Sequence, residues 1–101
     1  MPKYALCGKM MTDPHNRQTL IEILSAAADL MQNAEGCQMY IVYRDANDAG
    51  AVWITELWDS EEAHDNSLSI EGVKALISRA RPILKGSPEQ IVMIPVSGKG
   101  L

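Results

Sequence analysis

Residues 37–58, CQMYIVYRDANDAGAVWITELW, decide the fold. Two runs, 37–44 and 51–58, are built from Tyr, Ile, Val, Trp and Thr, residue types that suit a pleated, half-buried surface. Between them, Asp45-Ala46-Asn47-Asp48-Ala49-Gly50 is dense in turn formers, so the whole stretch reads as a β-hairpin. Strict alternation sends Cys37, Met39, Ile41 and Tyr43 to one face and Gln38, Tyr40, Val42 and Arg44 to the other. In the second run, Ala51, Trp53, Thr55 and Leu57 oppose Val52, Ile54, Glu56 and Trp58. Large apolar groups therefore lie on both faces. One layer of helices hides only one of them, so the sheet needs a second cover. Another copy of the same sheet is the simplest cover, and two-fold dimers are the commonest assembly.

Upstream of the hairpin the period changes. Leu20, Leu24, Ala27, Met31 and Ala34, with Ile23 and Leu30 beside them, mark one apolar face of a helix that starts at Arg17. Glu35-Gly36 stops it, with the glycine expected as a left-handed cap. Residues 3–11, KYALCGKMM, read as a first strand, separated from the helix by the polar, proline-containing loop 12–16. Downstream, Asp59 is placed to cap a short helix, with Glu62 closing a capping box. Ser69 is placed to cap a second helix, whose apolar face is Val73, Leu76, Ile77, Ala80 and Leu84, and Pro82 kinks or ends it. Residues 90–96, QIVMIPV, read as a last strand and 97–101 as a tail. The order is β-α-β-β-α(α)-β, the split βαβ pattern of an α+β ferredoxin-like fold with an antiparallel sheet, in one domain over residues 1–101.

Composition narrows the function. The hydrophobic fraction is 47% and the net charge −4, which argues against nucleic acid as a partner. The basic cluster Lys74, Arg79, Arg81 and Lys85 suits a helix C-terminus better than a phosphate backbone. No run approaches the ~20 apolar residues of a membrane span. The start, Met1-Pro2-Lys3, has no signal-peptide pattern. Cys7 and Cys37 lack metal-ligand or redox spacing, so two thiols in a cytoplasmic protein are expected, with a disulfide across neighbouring strands left open.

The segment WITELWDSEEAHDNSLS, residues 53–69, followed by VKALISRARPIL, residues 73–84, resembles the antibiotic-biosynthesis monooxygenase (ABM) domains of the dimeric α/β-barrel superfamily, among them quinol monooxygenases. Glu56-x-Trp58 followed by an acidic helix start is the most specific part of a resemblance that covers nearly the whole chain. It implies two sheets facing each other in a homodimeric barrel. It also implies cofactor-independent oxygenation of a small aromatic phenol or quinol. Many members carry a His nine residues after the Trp matched to Trp58; here that position is Ser67, and a His stands one helical turn earlier, at His64. The Asn, Trp and His set of the haem-degrading relatives has no match, so neither cofactor nor metal is expected.

His64 and Glu56 are the candidate catalytic pair. An imidazole can accept a phenol proton at neutral pH, whereas the plain alternative is an exposed His on an acidic helix. A carboxylate at the end of an apolar strand needs a partner or a raised pKa. Glu61, His64 and Asp65 share a helix face, but a di-iron site needs two Glu-x-x-His motifs and this chain has one. Trp58, Trp53, Tyr40, Tyr43 and Ser67 are the candidate substrate-binding residues, and Tyr4 joins the aromatic set. A non-catalytic barrel that binds a small apolar ligand, or serves as a stress-linked accessory protein, is the alternative function.

Overall fold

The computed structural model describes residues 2–101. Four strands form one antiparallel sheet: β1 (Tyr4–Met11), β2 (Cys37–Arg44), β3 (Ala51–Trp58) and β4 (Glu89–Met93), in the spatial order β2-β3-β1-β4. Three helices, α1 (Arg17–Leu30), α2 (Glu61–Ser67) and α3 (Val73–Ala80), complete the ferredoxin-like arrangement. Among the described residues, no helix is long and apolar enough to cross a membrane.

The hairpin is fastened by its own loop. The Asp45 carboxylate accepts bonds from the Asn47 and Asp48 amides at 2.9 and 3.0 Å and from the Trp53 indole at 2.7 Å. Arg17, at the start of α1, donates to the carbonyls of Asp45 and Asp48 at 3.2 and 2.8 Å. Helix and hairpin are thereby held in one orientation. Leu20, Ile23 and Leu24 of α1 bury against Val52 and Ile54 of β3 and Ala80 of α3. A second cluster joins Met31, Trp58 and Val73, and Tyr40 packs against both.

Several details differ from strict pattern reading. The pairing runs Cys37↔Trp58 and then Met39↔Leu57, so Gln38 is the extra residue of a bulge. A bulge puts two residues opposite one, and Cys37 thereby leaves the face of Met39, Ile41 and Tyr43 and packs beside Trp58 under the helices. Cys7 and Cys37 lie on strands separated by β3, and both are free thiols, which closes the disulfide question.

The helix ends also move. Beyond Leu30 the chain tightens into a 3-10 turn, Met31–Asn33, and Gly36 serves the following turn rather than the helix cap. Ser60, not Asp59, caps α2: its hydroxyl accepts from the Ala63 amide at 3.1 Å, and Asp59 accepts from the Gln38 side chain. Glu62 is then one residue too early for the capping box. Gly72, with φ of 96°, occupies the cap position of α3, where Ser69 was expected. Helix α3 stops at Ala80, Pro82 lies in the 3-10 turn Arg81–Ile83, and Leu84 is extended. The last strand ends at Met93 rather than Val96, consistent with Pro95 having no amide to donate. Strand β4 is exposed along its whole length.

Candidate active site

Helices α1 and α3 pack against each other and against β3, but they do not cover the sheet evenly toward β4. The space left between helices and sheet is a cavity of about 320 Å³, within the size range of small-molecule sites. Its walls are mostly apolar: Leu6 and Met10 from β1, Ile23 and Leu24 from α1, and Leu76 and Ile77 from α3. Arg81, Glu89 and Gln90, all exposed, stand at its rim. A larger cleft, about 510 Å³, runs outside α2 between Asn33, Glu35, Asp59, Glu62 and Asn66. It is open and polar, and Ser67 is the sole candidate residue that reaches it. Of these two the smaller is the better site, because it combines apolar walls with a carboxylate and an imidazole, Glu56 and His64.

Those polar groups are Glu56, His64, Tyr40 and Ser67. Glu56 and Trp58 are two residues apart on β3, so both side chains point to the helix face. The fully buried Trp58 indole donates to Glu56 Oε1 at 3.0 Å. Trp58 thus backs the site rather than lining it. Burial raises the Glu56 carboxyl above the ordinary carboxylate range, against the opposing pull of the Trp58 hydrogen bond and of His64. A carboxylate with raised proton affinity is the stronger base.

His64 is not a surface residue, although it sits on a short acidic helix. Its side chain is 15% exposed. The ring meets Trp58 edge-on with centroids 5.8 Å apart and lies 5.3 Å from the Tyr4 ring. Its Nδ1 is 3.0 Å from the exposed Asp65 carboxylate. A carboxylate at Nδ1 favours the tautomer that leaves the lone pair on Nε2. Tyr40 is pushed well above the usual phenol range, first by burial, then by the Glu56 carboxylate and Cys37, so it stays neutral and keeps its proton. Tyr4 is also raised, by burial and then by Glu61, Asp65 and Glu56. Glu56 is the carboxylate at this end of the cavity, and proton acceptance is what it offers a phenol. Ser67 is buried and donates its hydroxyl to the His64 carbonyl, which leaves its oxygen able to accept.

Trp53 and Tyr43 are placed elsewhere. They are cross-strand partners on the opposite face of the sheet, where Tyr43 bonds Thr55 at 2.7 Å and Lys9 lies 5.3 Å from the Trp53 ring. The aromatic set read from the sequence is divided between two surfaces by strand alternation. Among the described residues, no cluster of three or more His, Cys, Asp or Glu is placed to hold a metal ion. The sequence reading missed Gly8, Met10 and Gln90 as cavity residues; only the alternation of the first strand, which pairs Gly8 with Leu6 and Met10 on one face, carried a signal.

The family model for antibiotic biosynthesis monooxygenase matches residues 4–79. A Chloroflexus aurantiacus J-10-fl protein, provisionally named an antibiotic biosynthesis monooxygenase, is 41% identical, with 95% of each chain covered and a TM-score of 0.84. A Caulobacter crescentus CB15 protein of the same provisional name superimposes with a TM-score of 0.88 at 18% identity, covering 95% of this chain and 92% of that one. SnoaB of Streptomyces nogalater, a cofactor-independent oxygenase, has a TM-score of 0.81 over 98% of both chains at 10% identity, a likeness of fold alone. No curated protein matches the sequence.

Proposed function

Because the chain belongs to the antibiotic biosynthesis monooxygenase family, we propose that its cavity binds a small aromatic phenol or quinol and oxygenates it without a cofactor. The observation that carries this reading is the meeting of Glu56 and His64 at the polar end of an otherwise apolar cavity. The reaction balances with dioxygen alone. A phenol with a free para position plus O2 gives a para-quinone and water: one oxygen atom enters the ring, the other leaves as water, and the substrate supplies every electron.

Glu56 takes the phenol proton, since its burial raises its affinity for one. The electron-rich phenolate then reduces O2, and a carbon–oxygen bond forms at the para carbon. Loss of the ring proton and of one oxygen as water completes the quinone. His64, oriented by Asp65, is the group to carry the proton to the departing oxygen. Neutral Tyr40 holds the substrate oxygen by hydrogen bonding. The apolar walls exclude water, which keeps the charged intermediates from being quenched.

The test is incubation of purified protein with 1-naphthol and substituted hydroquinones under ¹⁸O2, with mass analysis of the products. One labelled oxygen in a quinone product supports the reading. Tight binding with no label in any product favours the ligand-binding alternative.

The same reading includes a second copy of the chain across the other face of the sheet. Met39, Ile41 and Tyr43 of β2 are 37–39% exposed there, and Ile91 and Met93 of β4 are 59% and 45% exposed. Among the described residues only the tail lies over this apolar strip, and it leaves Met93 and Leu101 half exposed.

A further inference from the structure

The chain carries a net charge of −4, yet Lys74, Arg79, Arg81 and Lys85 follow one another from α3 into the connection before β4. Of these cations Arg81 alone lines the cavity, and among the described residues no other Lys or Arg does. Lys85 pairs with Asp13 at 2.5 Å, whereas Arg81 pairs with no carboxylate among the described residues. The carboxylate next to it on the rim, Glu89, is directed elsewhere. Glu89 pairs with Lys9, and directly opposed residues of a sheet share a face. Lys9 lies against Trp53 on the face away from the helices, so the Glu89 side chain goes there too. What Glu89 brings to the cavity is backbone: its carbonyl oxygen is 3.7 Å from the place of a Cβ on Gly8. Gln90, which pairs with Gly8, adds an uncharged amide to the rim.

The 3-10 turn that carries Arg81 is fastened in place. The buried Thr12 hydroxyl donates to the Ile83 carbonyl, and Thr12 bridges to Leu84. Thr12 follows Met11, the last residue of β1, whereas Leu6, opposite Glu56, lies near the start of that strand. Arg81 therefore stands at the end of the cavity remote from Glu56 and His64. The site offers a proton acceptor at one end, apolar walls along its length and an unpaired guanidinium at its mouth. A guanidinium binds a carboxylate through two parallel hydrogen bonds. At the exposed rim a carboxylate keeps part of its hydration, so the pair avoids the desolvation cost of a buried one.

We propose that Arg81 is a specificity-determining residue: it pairs with a carboxylate that the phenolic substrate carries at the end remote from its hydroxyl. The inference rests on the cavity being the substrate site. Its test is equilibrium binding, by calorimetry, of 3-(3-hydroxyphenyl)propanoate and of uncharged 3-propylphenol to wild type, Arg81→Gln and Arg79→Gln. Arg79 carries the same charge on α3 but lies outside the cavity walls. Arg81→Gln should lower propanoate affinity about fivefold, the upper contribution of a solvent-exposed ion pair, and 3-propylphenol affinity less than about twofold. Arg79→Gln should change neither. An equal loss of propanoate affinity in the two variants overturns the site, because the charge would then act through its general field. Unchanged propanoate affinity in Arg81→Gln, or binding of 3-propylphenol alone, overturns the role of Arg81 and leaves the substrate site intact. Failure of wild type to bind either compound removes the substrate site and this inference together.

Discussion

Burial lifts the Glu56 carboxyl above its ordinary range, so the unfolded chain ionises at a lower pH than the folded one. The native state then holds a proton that the unfolded state has lost, and stability falls as pH rises through the folded pKa. Glu56 is thus least costly to the fold below the usual glutamate range, about pH 4, and most costly at neutral pH. Glu56→Gln keeps an acceptor for the Trp58 indole and removes the buried charge. It should melt higher than wild type at pH 7–8, with the gap shrinking as pH approaches 4; a gap independent of pH would mean that the carboxylate is solvated. Trp58 supports the opposite sign. Its hydrogen bond lowers the Glu56 pKa, so Trp58→Phe should move the acidic limb of the pH–rate profile upward. Trp58→Ala should cost about 3–5 kcal/mol in a denaturant titration, as deep aromatic truncations do, because the ring is fully buried. The sequence singled out Glu56, Trp58 and His64 from the strand end, the helix start and the family resemblance. It did not foresee that His64 is wedged between Tyr4 and Trp58, because that packing depends on how α2 leaves the sheet.

The departure of α2 is set at the junction of two turns. Gly36 has φ of 81°, and a Cβ on it would lie 2.7 Å from the Ala63 Cβ. Its carbonyl also accepts the Asp59 amide at 2.8 Å. The loop before β2 and the first turn of α2 are therefore in direct contact, and only glycine fits. Gly36→Ala must pay roughly 1–2 kcal/mol for the left-handed conformation alone and must also displace Ala63, one residue from His64. A melting temperature lowered by at least about 4 °C is expected, with turnover lowered as well; an unchanged melting temperature would show that the two segments separate freely. The sequence marked Gly36 as left-handed for a different reason, as a helix cap. The periods of α1, β2 and β3 were legible because each has a long apolar stripe. The caps of α2 and α3 were not, because Asp59, Ser60 and Ser69 are all competent capping residues and tertiary contacts choose among them. Likewise the bulge at Gln38 leaves no mark in the alternation, yet it decides which face Cys37 takes.

Over the whole molecule, the helices cover one face of the sheet and leave Met39, Ile41, Tyr43, Ile91 and Met93 on the other. A homodimer should therefore run at about twice the chain mass in sedimentation at micromolar concentration. The double variant Ile41→Asp, Ile91→Asp should run at one chain mass with its helical core intact; a wild-type monomer would contradict the two-sheet assembly. Apolar residues on both faces of the hairpin were readable from alternation, and so was the need for a cover. The cavity was not readable, since it arises from a helix layer that stops short of β4, and no local pattern records where two helices fail to reach.

If the cavity turns over a phenol by proton transfer to Glu56, oxygen consumption reports it. Wild type and Glu56→Gln are compared with 1-naphthol in air-saturated buffer at neutral pH, each freed of metal and confirmed folded by its melting curve. Steady oxygen uptake by wild type is expected, with a loss of about 10²-fold or more in Glu56→Gln, the usual contribution of a positioned base. Equal rates in the two proteins would contradict it.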